Sequence, residues 1–466
     1  MEATEIVRHI AAGKLSVKEV MAAHIEQIER INPKVNAIVT FLPEEAMKSA
    51  EEADRALAKG NAAGPLFGIP IAHKDLVDTK GIRTTKGSPI FKDNVPEKDA
   101  LIVERLKAAG AITIGKTNTP EFGAGSQTYN EVFGKTLNPY DLTKTCGGSS
   151  GGAAVALACG MMPLADGSDH GGSLRNPASF CNVIGFRTTA GRVPVLPSAT
   201  LSFPFLVQGP MARSVCDVAL MLSAIAGPDP RVPLSIEESC AVFTEPLDRD
   251  FRGTRIGWSR DLGGVPVDGR VTESIDAQRH VFEDFGCQVV DGEPDFTDVD
   301  EIFKVWRAWH VELSMGELLD THRDQIKDTV IWNAEMGRKL TGPQIGRIEL
   351  KRSAFYSRLL EYMAEHEFLI LPVSQVPPFD VNQQYIEEIN GKKMETYIDW
   401  MKSCYYISVT GLPAISVPCG FTSDGLPVGV QIVGRPKDEF GVLQLASAFE
   451  KATQVGKRRP PVVDLS

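Results

Sequence analysis

Residues 146–194 read CGGSSGGAAVALACGMMPLADGSDHGGSLRNPASFCNVIGFRTTAGRVP, and two glycine-bracketed serine sites stand out in them. The first is Gly147-Gly148-Ser149-Ser150-Gly151-Gly152 and the second is Asp169-His170-Gly171-Gly172-Ser173. Glycine reaches φ > 0 without steric cost, so backbone N–H groups can crowd around one point. A cluster of such groups makes an anion-binding concavity. A serine hydroxyl inside it sits where an acyl-transfer nucleophile and its oxyanion donors must lie. Two such serines need only a base.

None of the eight histidines stands in an evident Ser-His-Asp arrangement. Lys74 is the better candidate, because residues 66–72 (LFGIPIA) read as a short apolar strand bounded by glycine and proline. A lysine at the end of a buried strand is desolvated, which favours its neutral form and lets it accept a proton near neutral pH. His73, by strand alternation, points to the opposite face and is left out of the site. Asp169 and Arg175 flank the second serine and read as an ion pair bracing the turn, since a buried charge needs a partner.

Two pattern matches fail on context. Gly110–Thr117 fits G-x-x-x-x-G-K-[ST], but its apolar residues lie between the glycines and Pro120 follows the lysine closely, so no phosphate loop is expected. Gly147-Gly148-Ser149-Ser150-Gly151 fits G-x-S-x-G, the nucleophile elbow of an α/β-hydrolase. That elbow needs a buried strand immediately before it, and residues 138–145 (NPYDLTKT) are polar and turn-rich.

Lys74, Ser149 and Ser173, with the phrases around them, resemble the amidase signature family of Ser–cis-Ser–Lys hydrolases. The match takes in GGSSGG, the alanine-rich stretch after it and DHGGSLRNP, and extends to residues 64–88, 115–123, 411–420 and 425–436. It is weakest between residues 225 and 400. The resemblance implies that Ser173 attacks an amide carbonyl and that Ser149, on a cis peptide, relays the proton to and from neutral Lys74. The backbone N–H groups of His170, Gly171, Gly172 and Ser173 would form the oxyanion hole, and Ser150 would help orient the network. It implies an amide C–N hydrolase without cofactor or metal, acting on a small-molecule amide, and a homodimer by family analogy. The amidotransferase that converts charged tRNA at the expense of glutamine has a hydrolytic component, its A component, which shares these residues and is the first rival. An esterase or α/β-hydrolase-type serine hydrolase and a non-catalytic binding protein follow. Two positions depart from the commonest pattern: Cys146 replaces a proline and is expected only to pack, and His170 replaces a threonine, where either its side chain shapes substrate choice or only its backbone matters. Trp306, Trp309, Trp332, Tyr356 and Trp400 lie in the most variable region, where core packing is the expected role.

The rest of the chain suits an α/β enzyme. Residues 2–60 read as helical, with residues 17–31 amphipathic and Pro33 as the stop. From residue 66 strands and helices alternate, which implies one large domain with a mixed sheet covered by helices on both faces. Its expected parts are a helical flank (1–62), the signature core (63–225), a substrate-shaping region (226–400) and C-terminal core strands with a helix (401–466). A net charge of −11 argues against nucleic acid or an anionic membrane as partner. Eight cysteines without a CxxC pair make no disulfide or zinc framework and read as buried small hydrophobes in a reducing compartment. Without a signal pattern or a membrane-length apolar run, a cytoplasmic location is expected.

Overall fold

The strands assemble into one 11-stranded mixed sheet. In chain order its strands are β1 (Ile38–Phe41), β2 (Pro70–Lys74), β3 (Ile112–Thr117), β4 (Leu164–Asp169), β5 (Ile184–Arg187) and β6 (Val207–Ala212). They continue as β7 (Arg255–Trp258), β8 (Gln288–Asp291), β9 (Phe368–Pro372), β10 (Ala414–Phe421) and β11 (Pro427–Val433). Across the sheet the order is β1-β3-β2-β4-β6-β5-β10-β11-β9-β7-β8. The β3-β2-β4 and β9-β7-β8 neighbours are parallel, and the strands between them antiparallel. This computed structural model describes residues 1–61 and 63–464; residue 62, the expected end of the flank, and residues 465 and 466 lie outside the described residues.

The central strands are apolar on both faces because helices cover both. Ile370, Ile415, Val430 and Ile432 join one core cluster, while Leu369, Leu371, Ala414 and Val433 join the other. The two-residue period of a strand sends successive side chains to opposite cores. The long helices run Gly342–Glu365 and Glu439–Thr453.

Several expectations are corrected. Pro33 does not stop the first long helix, which runs Val17–Val35; proline falls in its last turn, and Asn36 ends it at φ 54° with its N–H donating to Asn32 O. Two short helices, Gly269–Asp276 and Arg279–Asp284, lie between β7 and β8, and the helix Lys402–Thr410 follows a short 3-10 turn. The strand expected over 66–72 is displaced to Pro70–Lys74, so the lysine is its last residue. Strands β1, β4, β5 and β6 were not expected. Sequences such as LADGSD and VQGPMA lack an apolar alternation, since they bury charged, proline and glycine residues on both faces. No helix among the described residues is long and apolar enough to cross a membrane. All eight cysteines are unpaired, and six are buried as expected, but Cys216 is exposed and Cys240 half-buried.

Candidate active site

Three segments converge at the ends of neighbouring strands: Lys74 closes β2, Ser149 and Ser150 precede the helix Gly151–Ala158, and Ser173 follows the turn after β4. The helix is built of small residues because it lies against backbone. A Cβ on Gly152 would stand 2.4 Å from Asn118 N. At Gly172 φ is +118°, and a Cβ would meet Cys404 Cβ at 2.4 Å, so only glycine lets the turn to Ser173 pack there.

Lys74 is completely buried. Its Nζ lies 2.8 Å from Ser149 Oγ, 2.8 Å from Ser150 Oγ and 3.1 Å from Ser168 Oγ. All three contacts are hydroxyls, and no carboxylate among the described residues touches the amine. Desolvation pulls its pKa from 10.5 down to about 7, although Asp169 and Asp166 push the other way. A neutral amine keeps a lone pair, so one of these hydroxyls can donate to it. The Gly148–Ser149 peptide is cis, as the resemblance implied. Ser150 N–H donates to Ser173 O at 3.2 Å and ties the two serine segments together.

His73 points away from the serines, as strand alternation requires: its ring meets Asp166 Oδ2 at 2.5 Å and Thr113 Oγ1 at 3.1 Å. Asp166 Oδ1 also accepts from Lys74 N at 2.8 Å, so this pair fixes the backbone under the lysine.

The turn 169–175 is organised by one carboxylate. Asp169 accepts from Gly172 N at 2.9 Å, Leu174 N at 3.1 Å, Arg175 Nε and Nη2 at 3.0 Å each, and Arg187 Nη1 at 3.0 Å. Burial alone would raise this carboxyl, but Arg175 and Arg187 outweigh it and hold the group well below the usual range. The expected Asp169–Arg175 pair is therefore present, with Arg187 as a second cation that nothing in the sequence pointed to. Arg175 also donates to Cys404 O at 3.0 Å and Ser408 Oγ at 2.8 Å, clamping the turn to the helix Lys402–Thr410. One expectation changes. Gly172 N–H is spent on Asp169, so of the four expected donors only His170, Gly171 and Ser173 keep N–H groups without a partner among the described residues.

The His170 side chain meets an aromatic wall. Its ring centroid is 5.2 Å from Phe203, 5.5 Å from Phe303 and 5.7 Å from His310, and Phe203 stacks on His310 at 4.0 Å. Burial, then Arg307 and His310, push the His170 imidazole well below its ordinary pKa, so it is neutral. Its Nε2 is buried without a partner among the described residues, as are His310 Nδ1 and Trp306 Nε1. Trp306 and Trp309 extend this wall and pack against the core cluster behind it, and Trp400 is core, as expected, while Trp332 and Tyr356 are exposed. Cys146 only packs, with no exposed surface.

Sequence reasoning missed Ser168, Arg187 and the segment 121–127, which covers Ser149: a Cβ on Gly123 would lie 3.4 Å from Ser149 Oγ. Ser168 stands beside the recognised DHGGS phrase and residues 121–123 end the matched stretch 115–123, but Arg187 carries no local signal. The nucleophile elbow is excluded, because no strand precedes Gly147 and the partner of Ser149 Oγ is an amine. The phosphate-loop match also fails, since Ile112–Thr117 is strand β3 and Lys116 is buried against Val77 O, Thr79 Oγ1 and Thr84 Oγ1. No cluster of metal-ligating side chains occurs among the described residues.

Comparison with known proteins agrees with this geometry. A family model described as Amidase matches residues 19–443. An acylamidase from Rhodococcus erythropolis is 36% identical over 465 residues, covering 99% of this chain and 97% of that protein. The A component of the glutamyl-tRNA(Gln) amidotransferase of Carboxydothermus hydrogenoformans is 33% identical, covering 99% of each. Among solved structures, a bacterial aryl acylamidase of the amidase signature enzymes superposes with a TM-score of 0.93 at 29% identity, covering 99% of this chain and 98% of that one. A 6-aminohexanoate cyclic dimer hydrolase superposes with a TM-score of 0.89 at 26% identity, covering 99% of each chain. With the family model spanning most of its length and the same fold throughout, the chain belongs to the amidase family, in its amidase signature branch, and is a hydrolase of non-peptide amide C–N bonds.

Proposed function

We propose that the protein hydrolyses small carboxamides through an acyl-enzyme on Ser173. The observation that carries this reading is the buried Lys74 amine, 2.8 Å from Ser149 Oγ and free of any carboxylate contact among the described residues. Ser173 Oγ bonds to the amide carbonyl carbon as its proton passes to Ser149 Oγ, whose own proton passes to the Lys74 lone pair. The tetrahedral oxyanion is met by the N–H groups of His170, Gly171 and Ser173. Collapse breaks the C–N bond, and the relay runs backwards to protonate the leaving amine. Water then takes the place of Ser173 on the acyl carbon by the same route. No step calls for a metal or cofactor. Ser150 and Ser168 fill the remaining positions on Nζ, and Asp169 with Arg175 and Arg187 sets the turn. The unpartnered His170 Nε2 gives the aromatic wall a polar point for choosing among substrates.

The amidotransferase components among the relatives support a second reading, in which the carboxamide is that of glutamine and a partner protein takes the ammonia. Small-molecule amide hydrolysis is preferred because the segment next to Ser173 faces aromatic rings. A soluble homodimer and a cytoplasmic location complete the proposal.

Treatment with a serine-directed fluorophosphonate, followed by peptide mapping, tests it. An adduct on Ser173 that is strongly reduced in Lys74→Ala is expected. Adduct on Ser149 or Ser150, indifferent to Lys74, would overturn the assignment. Release of ammonia from glutamine, with copurification of a second protein, would favour the amidotransferase reading.

A further inference from the structure

Lys327 caps the helix Asp328–Arg338, and its half-buried side chain is held differently from the other lysines near the site. Lys74 and Lys116 are each surrounded by hydroxyl or carbonyl oxygens. Lys327 Nζ has only the face of Tyr129, 4.2 Å from the ring centroid; among the described residues no hydrogen bond or ion pair reaches it. The carboxylate nearest in effect, Glu121, is occupied elsewhere: Oε1 accepts from Ser88 Oγ at 2.7 Å and Oε2 from the Lys327 backbone N–H at 2.8 Å. Two residues on, Thr329 Oγ1 is buried and also without a partner. Both groups line one small recess with Ser126, Tyr129, Tyr385 and Trp400.

The recess adjoins the catalytic serines through the segment 123–127. A Cβ on Gly125 would lie 3.9 Å from Lys327 Nζ, and one on Gly148 would lie 3.0 Å from Gln127 N and 3.1 Å from the Ser126 carbonyl carbon. A Cβ on Gly123, at the other end, would lie 3.4 Å from Ser149 Oγ. One backbone strip thus walls both the relay serine and the ammonium.

A cation and a buried hydroxyl, both without a hydrogen-bond partner among the described residues, leave unmet hydrogen-bonding capacity that a bound anion would fill. One cation between aromatic walls suits a monoanion; a phosphate dianion would call for a second positive group. We propose that this recess is a carboxylate subsite, in which Lys327 Nζ and Thr329 Oγ1 hold a carboxylate carried by the amide substrate while its scissile carbonyl lies at Ser173. The proposal rests on the amidase reading above and specifies its substrate class: amides bearing a carboxylate on the acyl or the amine side.

The test uses the full-length protein and two substrate series, ω-carboxyacyl 4-nitroanilides (succinyl, glutaryl, adipyl) and N-acyl amino acids, each beside its neutral primary-carboxamide counterpart. At least one carboxylate should exceed its neutral counterpart in kcat/KM by about tenfold or more, as a charged hydrogen bond allows. Lys327→Met should lower that ratio about tenfold, chiefly through KM, and Lys327→Arg should restore part of it. Thr329→Val should lower it more modestly. Fluorophosphonate labelling of every variant at Ser173 shows that the fold and relay survive. A wild-type protein that labels but shows no carboxylate preference in either series overturns the subsite, as does a preference unchanged in both Lys327→Met and Thr329→Val. A protein that neither labels nor cleaves any anilide overturns the amidase reading, and the subsite with it.

Discussion

In the proposed mechanism the state of Lys74 decides whether the relay can run, and pH perturbs it directly. The side chain is completely buried against three hydroxyls. Burial lowers its pKa to about 7 against the opposing pull of Asp169 and Asp166. With a base of that pKa, about one molecule in eleven holds a neutral lysine at pH 6 and about ten in eleven at pH 8. The second-order rate of fluorophosphonate labelling should therefore rise about tenfold per unit from pH 5 to near 7 and level off above 8. The sign follows from the charge: protonation fills the lone pair, so acid removes the base. Peptide-mapped labelling rates across pH 5–10 measure this without a substrate whose own charge changes. A profile still rising tenfold per unit between pH 8 and 9 would show an ordinary, hydrated lysine. A profile flat from pH 5 to 8 would show that Lys74 is not the base. Either result refutes the reasoning.

Ser149→Ala should remove the link between nucleophile and base and slow labelling of Ser173 by about 10²–10⁴, the usual worth of a positioned proton acceptor, with the urea midpoint little changed. Arg175→Ala leaves Asp169 with Arg187 alone in a buried site, and breaking a buried pair costs about 3–5 kcal/mol, so the urea midpoint should fall along with activity. A well-folded, inactive variant would show that Arg175 does more than brace the turn. For Asp169, whose folded pKa is depressed, stability is present above its unfolded pKa and is lost as pH falls; unfolding midpoints between pH 7 and 3 should fall in the wild type and change less in Arg175→Ala. His170→Thr removes the polar point of the aromatic wall and should reorder rates among aryl and aliphatic anilides, while an unchanged order would assign it a backbone role only.

Much of the site could be read along the chain because it is built from contiguous phrases. Glycine-bracketed serines and a lysine ending an apolar strand each declare their local geometry, and Lys74 Nζ lies within hydrogen-bond distance of Ser149 Oγ and Ser150 Oγ. Strands β4 and β6 stayed hidden for a physical reason. Their residues are buried on both faces with charges satisfied by partners far along the chain, so no alternation marks them. The aromatic wall joins residues 170, 203, 303 and 310, and no local pattern could have joined them.

By itself, then, the sequence determined the α/β class and marked Lys74, Ser149 and Ser173 as candidates, with their separate roles implied by the family resemblance, since backbone freedom at glycine and desolvation at a strand end act over a few residues. Only the tertiary structure decided three further points. Asp169 takes the Gly172 N–H and leaves three donors without a partner among the described residues, Arg187 joins Arg175 on that carboxylate, and Lys327, with no ion pair among the described residues, stands beside the segment that covers Ser149. Each depends on which distant charges and N–H groups become neighbours once water is removed. Hydrogen bonds and ion pairs in a buried site are settled by proximity in space, which sheet order and helix packing create and spacing along the chain does not record.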